Sequence, residues 1–152
     1  MRPFSRHFYG LVSASAAVTW VVCVASAQSV APDIAGVTLG RSAQDVRLAL
    51  GTPEFVQQSL GMRFWEYHAR GITVIWRDDA SGANAIVVSK REAGVIRGVR
   101  VGDPTQQVLA NWGAPARVRN SGRFIDFVGH GWTLSAEIGE GRAIEITLLA
   151  AR

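Results

Sequence analysis

The chain has 152 residues, of which 48% are hydrophobic and 18% are charged, with one Cys and a formal net charge of +4. This apolar content excludes a mainly disordered chain, and a single Cys excludes a disulfide scaffold. The length suits one domain or two very small ones.

The first 27 residues have the layout of a secretory signal peptide. Arg2 and Arg6 precede an uncharged run over residues 11–25, and the small residues Ala25-Ser26-Ala27 follow it. The run is shorter than the roughly 20 apolar residues of a membrane-spanning helix. We therefore predict a cleaved signal peptide over residues 1–27, export to the periplasm or the extracellular space, and no stable membrane anchor after cleavage.

The expected mature chain has little charge and no cysteine. Cys23 is preceded by bulky residues, which disfavours lipid attachment, so it leaves with the signal. Without Arg2 and Arg6 the net charge falls from +4 to +2. Nucleic-acid binding needs a clustered basic stripe, and only Arg117, Arg119 and Arg123 approach one. We therefore predict no nucleic-acid partner.

The mature chain contains an internal repeat. Residues 34–40 match residues 96–102 at an offset of 62, and residues 63–67 match residues 123–127 at an offset of 60. Self-similarity of this kind indicates duplicated units. We predict a linker over residues 28–33, a first repeat over 34–93 and a second over 94–152, together forming one compact domain because units of this size bury little surface alone.

Each predicted repeat begins with a short helix and continues as strands. Ser42 and Thr105 are the predicted N-caps, and Gly51 and Gly113 end the helices. Strands are predicted from alternation and β-branched content. They cover residues 55–60, 63–69, 72–77, 85–90, 117–121, 123–128, 132–137 and 143–149. The predicted fold class is α+β: two tandem repeats, each a short helix (or helix pair) followed by a three- or four-stranded antiparallel meander, with helices on one face.

Alternation along these strands assigns side chains to two faces. The predicted buried face consists of Trp65, Tyr67, Ile72, Val74, Trp76, Ile86, Val88, Ile125, Phe127, Trp132, Leu134, Ile144 and Ile146. The opposite face mixes aromatic, charged and hydroxyl groups, a composition typical of recognition surfaces. The candidate binding residues on it are Phe64, Glu66, His68, Ile75, Arg77, Phe124, Asp126, Ser135 and Glu137. The alternative is an ordinary solvated sheet face.

The spacing of glycines, valines and prolines in both repeats resembles two related groups. The matching residues are Gly36, Val37, Gly40, Val46, Gly51, Pro53 and Tyr67, with Gly98, Val99, Gly102, Val108, Gly113, Pro115 and Phe127. They resemble the small outer-membrane-assembly lipoprotein domain (SmpA/OmlA type) and the two-repeat β-lactamase inhibitor proteins. The resemblance implies helices on a small antiparallel sheet and binding to other proteins. This chain departs from both groups, since it has neither a credible lipid site nor the inhibitors' disulfides.

Residues suited to catalysis are few. Glu66 and His68 lie two apart on one strand, where a carboxylate can orient an imidazole for acid–base chemistry. Asp126 is the repeat counterpart of Glu66, and paired carboxylates support hydrolysis when about 5–10 Å apart. Two histidines without cysteine fall short of a zinc site. The sequence therefore predicts no metal and no cofactor.

The sequence thus favours an exported, non-catalytic protein-binding module of the bacterial cell envelope. Its expected partner is an envelope protein or an extracellular enzyme, bound on the open face of the sheet. A small envelope hydrolase using Glu66, His68 and Asp126, and a secreted enzyme inhibitor, are the alternatives.

Overall fold

A computed structural model describes residues 30–151. The predicted signal peptide, Cys23 and the first two residues of the predicted linker lie outside the described residues. Two α-helices, eight strands and two single-turn 3-10 helices (Arg91–Ala93 and Asn120–Gly122) make up the regular structure of the described residues. The α-helices and strands are α1 (Ala43–Leu50), β1 (Phe55–Ser59), β2 (Met62–Tyr67), β3 (Ile72–Arg77), β4 (Ala85–Val88), α2 (Thr105–Trp112), β5 (Arg117–Arg119), β6 (Phe124–Gly129), β7 (Trp132–Gly139) and β8 (Arg142–Ala150).

The eight strands form a single antiparallel sheet in the order β1-β2-β3-β4-β8-β7-β6-β5. The α+β class and the antiparallel sheet are confirmed. The predicted fold class of two tandem helix-plus-meander repeats is wrong, because β4 pairs with β8 over four residue pairs and joins all the strands into one sheet. Alternation within a strand indicates which of its side chains share a face. It does not indicate which distant strand pairs with it.

The two helices begin differently. Ser42 caps α1 as predicted: its hydroxyl accepts from the Asp45 amide at 3.2 Å, and the Asp45 carboxylate accepts from the Ser42 amide, which completes a capping box. The prediction that Thr105 caps α2 is wrong. Pro104 holds that position, and Thr105 is the first helical residue, since proline readily adopts the extended backbone that precedes a helix.

Both helices lie on the same side of the sheet, over one continuous core. The Arg47 guanidinium of α1 stacks on Trp65 of β2 at 5.0 Å, and Trp112 of α2 packs edge-on against Phe127 of β6 at 5.2 Å. Val46 and Val108 are fully buried beneath their helices. Within residues 30–151 neither helix is long and apolar enough to cross a membrane.

One residue predicted for the buried face points elsewhere. Ile144 is 47% exposed, whereas Ala143 and Ile146 are fully buried. The register between β7 and β8 shifts after Glu137, so an extra residue is accommodated in β8. Such a bulge breaks the two-residue alternation on which the prediction rests.

The described part of the predicted linker contacts the fold. The Val30 carbonyl accepts a hydrogen bond from the Arg97 guanidinium at 2.6 Å. Ala31 packs against the core. Residues 30–33 therefore lie against the domain rather than apart from it.

Candidate functional site

The side of the sheet opposite the helices, here called the open face, carries the predicted binding residues. Strand register places Phe64 beside Ile75, Ile75 beside Ala85, and Ala85 beside Leu149. Because alternate residues of a strand share a face, this row of side chains lies on one side. Among the described residues no helix covers it.

The predicted residues of β2 and β3 form the first of two clusters on the open face. Phe64 and Ile75 are direct neighbours across the two strands, and both are half-buried. Just beyond the end of β2, the His68 Nε2 atom lies 3.5 Å from the Glu66 Oε2 atom, with the imidazole 60% exposed. Arg77 is paired with Asp79 at 2.9 Å. This cluster therefore offers an apolar centre between charged margins.

A buried carboxylate organises the second cluster, on β5, β6 and β7. Arg119 donates to both carboxylate oxygens of Asp126, at 2.7 and 3.0 Å, and the Ser135 hydroxyl donates to the same carboxylate at 2.8 Å. The Arg119 hydrogen bond is the largest influence on Asp126 and, together with Ser135, holds the pKa of that carboxyl below its usual range against the opposing effect of burial. Asp126 is therefore an anchor for Arg119, not a free acid.

Phe124 lies between two arginines in the same cluster. The guanidinium carbons of Arg119 and Arg123 are 4.9 and 5.6 Å from the centre of its ring. Arg123 also donates to Glu137 at 2.6 and 2.9 Å. Cation–π stacking and the two hydrogen bonds from Arg123 to one Glu137 oxygen both restrict side-chain rotation. This end of the open face is consequently preorganised, with Arg119 and Arg123 each paired to a carboxylate.

The structure keeps the two clusters apart. Strands β4 and β8 separate β3 from β7, and four strands separate Glu66 on β2 from Asp126 on β6. At about 4.8 Å per strand spacing, these carboxylates lie about 24 Å apart along the sheet. The hydrolase arrangement of Glu66, His68 and Asp126 is thus not assembled. Within residues 30–151, no three His, Cys, Asp or Glu side chains group as metal ligands.

Two depressions adjoin each other at Leu149, which is 40% exposed in β8. One, of about 300 Å³, is lined mainly by apolar groups, among them Met62, Ile75 and Ala85. The other, of about 580 Å³, has Arg117, Arg119 and Asp126 in its wall. The open face therefore combines an apolar hollow with a polar one that contains an arginine–aspartate pair and Arg117.

The sequence-based site omitted the residues at this junction. Leu149 and Ala85 belong to predicted strands but are absent from the predicted binding residues. Alternation with the buried Ile146 and Leu148 would have placed Leu149 on the open face. Arg119 lay among the three arginines considered for nucleic acid, and the structure places it beside Asp126.

Comparison with known proteins supports the fold alone. Sequence searches find no matching family model and no matching curated protein. The fold is similar to an extracellular protein containing a SCP domain from Bacillus anthracis str. Ames, with a TM-score of 0.60 and 9% identity, covering 92% of this chain and 50% of that one. It is also similar to a cysteine-rich secretory protein from Staphylococcus aureus subsp. aureus Mu50, with a TM-score of 0.56 and 8% identity, covering 82% of this chain and 49% of that one. The chain thus spans about half the length of each. The resemblance to the assembly lipoprotein and inhibitor groups stays a prediction.

Proposed function

We propose that this chain is an exported, non-catalytic protein-binding module of the cell envelope and that its open face holds the partner. One observation carries the proposal: an apolar hollow and a polar hollow that contains Arg117 adjoin at Leu149 on a sheet face that no described helix covers. Interfaces concentrate their binding energy in central pockets that accept an anchor side chain, with polar groups around them.

The chemistry of the two hollows specifies the partner's contact. The hollow beside Met62 and Ile75 suits an aliphatic or aromatic side chain of the partner. Arg117 in the adjoining hollow suits a carboxylate, since a guanidinium group binds a carboxylate with two parallel hydrogen bonds, whereas Arg119 already donates to Asp126. The partner therefore presents an apolar residue and an acidic residue side by side.

The N-terminal sequence is the basis for the proposed export. The basic start, the uncharged run and Ala25-Ser26-Ala27 direct the chain to the periplasm or the extracellular space, and the partner is an envelope protein or an extracellular enzyme. Intact-mass measurement of the protein recovered from the periplasm and the medium tests this step. A mass beginning at Gln28 is expected, and a cytoplasmic chain beginning at Met1 would contradict it.

Affinity purification with matched variants tests the binding proposal. Ile75→Ala combined with Leu149→Ala removes the walls of the apolar hollow, and Arg117→Glu reverses a charge in the other. Leu48→Ala is the control, because Leu48 is 79% exposed on α1, on the opposite side of the sheet. Each variant is compared with the unaltered chain for bound proteins, identified by mass spectrometry, and for thermal stability.

The expected result is a specific partner retained by the unaltered chain and by Leu48→Ala. Both open-face variants should bind it at least about tenfold more weakly, a change of about 1.4 kcal/mol in binding free energy. Equal binding by all folded variants would overturn the role of the open face. A partner lost only in the Leu48 variant would place the interface on the helices instead.

A further inference from the structure

The two outer strands of the sheet differ in their protection against pairing. Strand β5 has three residues, two of them arginines, and a tight turn follows it. Short, charged edge strands resist association with other strands. Strand β1 has five residues, Phe55–Ser59, without a charge, and all but Ser59 are exposed. The β5 edge of the sheet therefore resists pairing with a further strand, whereas the β1 edge does not.

The β1 edge carries apolar side chains on both sides of the sheet. Phe55 pairs with Glu66 and shares the open face, whereas Val56 pairs with Trp65 and points to the helix side. They are 51% and 53% exposed. Among the described residues, β2 is the only strand beside β1. An exposed, uncharged edge of this kind is a template for a further strand.

We propose that β1 pairs antiparallel with β1 of a second copy of this chain, about a twofold axis at Gln57. In this register Phe55 lies opposite Ser59 of the other copy, Val56 lies opposite Gln58, and Gln57 lies opposite its own equivalent. The pairing joins two eight-stranded sheets edge to edge, and the rotation keeps both open faces on the same side.

The charge pattern identifies a second copy as the occupant. A twofold interface must be complementary to itself. Strand β1 meets this condition because it has no charged residue, and the flanking Glu54 lies opposite the uncharged Leu60 of the other copy. Strand β5 fails it, since pairing with its own copy would bring arginines together. A ladder of five residues buries a small area, so we expect a dimer of micromolar affinity.

Analytical ultracentrifugation of the protein as exported, from low micromolar to a few hundred micromolar, tests the dimer. The unaltered chain should shift from monomer to dimer with increasing concentration. Gln57→Lys and Gln57→Glu, each alone, should weaken dimerisation about fivefold, because opposite residues in paired strands have Cβ atoms about 5 Å apart and these carry like charges. An equal mixture of the two variants should restore the dimer.

Val118→Lys is the matched control, placing the same charge on the other edge strand, where the dimer should persist. Circular dichroism confirms the fold of each variant. A chain that stays monomeric at a few hundred micromolar would overturn the proposal. So would a mixture of the two Gln57 variants that fails to dimerise, or a dimer abolished only by Val118→Lys. These outcomes are independent of the partner proposed for the open face.

Discussion

Asp126 and Ser135 face each other on neighbouring strands, and the Ser135 hydroxyl donates a 2.8 Å hydrogen bond to the Asp126 carboxylate. Both residues are at least nine-tenths buried, although they lie on the open face. Together with Arg119 of β5, these two residues link the edge strand β5 to β6 and β7. The arrangement of this end of the open face depends on these bonds, because Asp126 holds Arg119 in place.

Asp126→Asn should destabilise the fold by about 1–3 kcal/mol at pH 7, since it weakens a charge-assisted hydrogen-bond network. The pKa of Asp126 is lowered in the folded chain, chiefly by Arg119. A carboxyl with a lowered pKa binds fewer protons when folded, so it stabilises the fold above its unfolded pKa of about 3.9 and loses this contribution as pH falls through the folded pKa. Urea unfolding from pH 7 to pH 2 should show the two proteins converging at the acidic end.

Glu92→Gln is a control for the loss of one carboxylate, because Glu92 is exposed and lies outside the network. Its free energy of unfolding should stay within about 0.5 kcal/mol of the unaltered chain at pH 7. If Asp126→Asn behaves like Glu92→Gln at pH 7, the network does not stabilise β5.

The two halves of the sheet, β1–β4 and β5–β8, should unfold together. Val88 of β4 pairs with Ile146 of β8, and both are buried in one core. Replacing Trp65 and Trp76 by Phe leaves Trp112 and Trp132 as reporters of the second half, and the reciprocal variant reports the first. In each variant the fluorescence midpoint in urea should coincide with the circular dichroism midpoint. Separate midpoints would indicate two independent units.

Gly82→Ala should cost about 1–3 kcal/mol by overpacking. A Cβ atom at Gly82 would overlap the carbonyl oxygen of Gly40 and lie 2.6 Å from its carbonyl carbon. The Gly40 backbone has little room to move, because its amide donates to the Ala83 carbonyl at 2.9 Å. Thermal denaturation beside the control Ser81→Ala, an exposed neighbour, measures the effect. Equal stability of the two variants would contradict this prediction, because it would show that the loop backbone shifts to make room for the added methyl group.

Leu60→Asn should stabilise the fold by about 1 kcal/mol. Leu60 lies at the β1–β2 turn with φ of +52° and is 92% exposed. Its side chain therefore makes little packing contact that could offset the strain of the left-handed backbone. Asn tolerates this conformation better than Leu. Gly61→Ala, at φ of +72°, should have the opposite sign. Urea unfolding at low protein concentration compares them, and a Leu60→Asn variant less stable than the unaltered chain would contradict this reading.

Much of the local structure could be predicted from the sequence. The boundaries of β3 match the prediction, because Ile72, Val74 and Trp76 stand at every second position of a β-branched and aromatic run and are all buried. The N-cap of α1 at Ser42 could also be predicted, because Ser42 and Asp45 are three residues apart, as in a capping box. Such features depend on neighbours within a few residues, and the sequence displays those directly.

Features that depend on contacts between distant segments could not be predicted. The β4–β8 pairing brings Ile86 beside Leu148, 62 residues away, and nothing in either strand specifies the other. The bulge that exposes Ile144 arises from register with β7. For the candidate site, the face was predictable from alternation, whereas the bond between Arg119 and Asp126 depended on β5 reaching β6.

Site-specific photocrosslinking in the intact cell tests the central claim most directly. A photoreactive phenylalanine analogue placed at Phe64 or Phe124 reports what lies against the open face, and the same analogue at Leu48 reports the helix side. The account predicts a crosslink to the same discrete partner protein from both open-face positions and none from Leu48. Crosslinks to a partner from Leu48 alone, with none from Phe64 or Phe124, would contradict it.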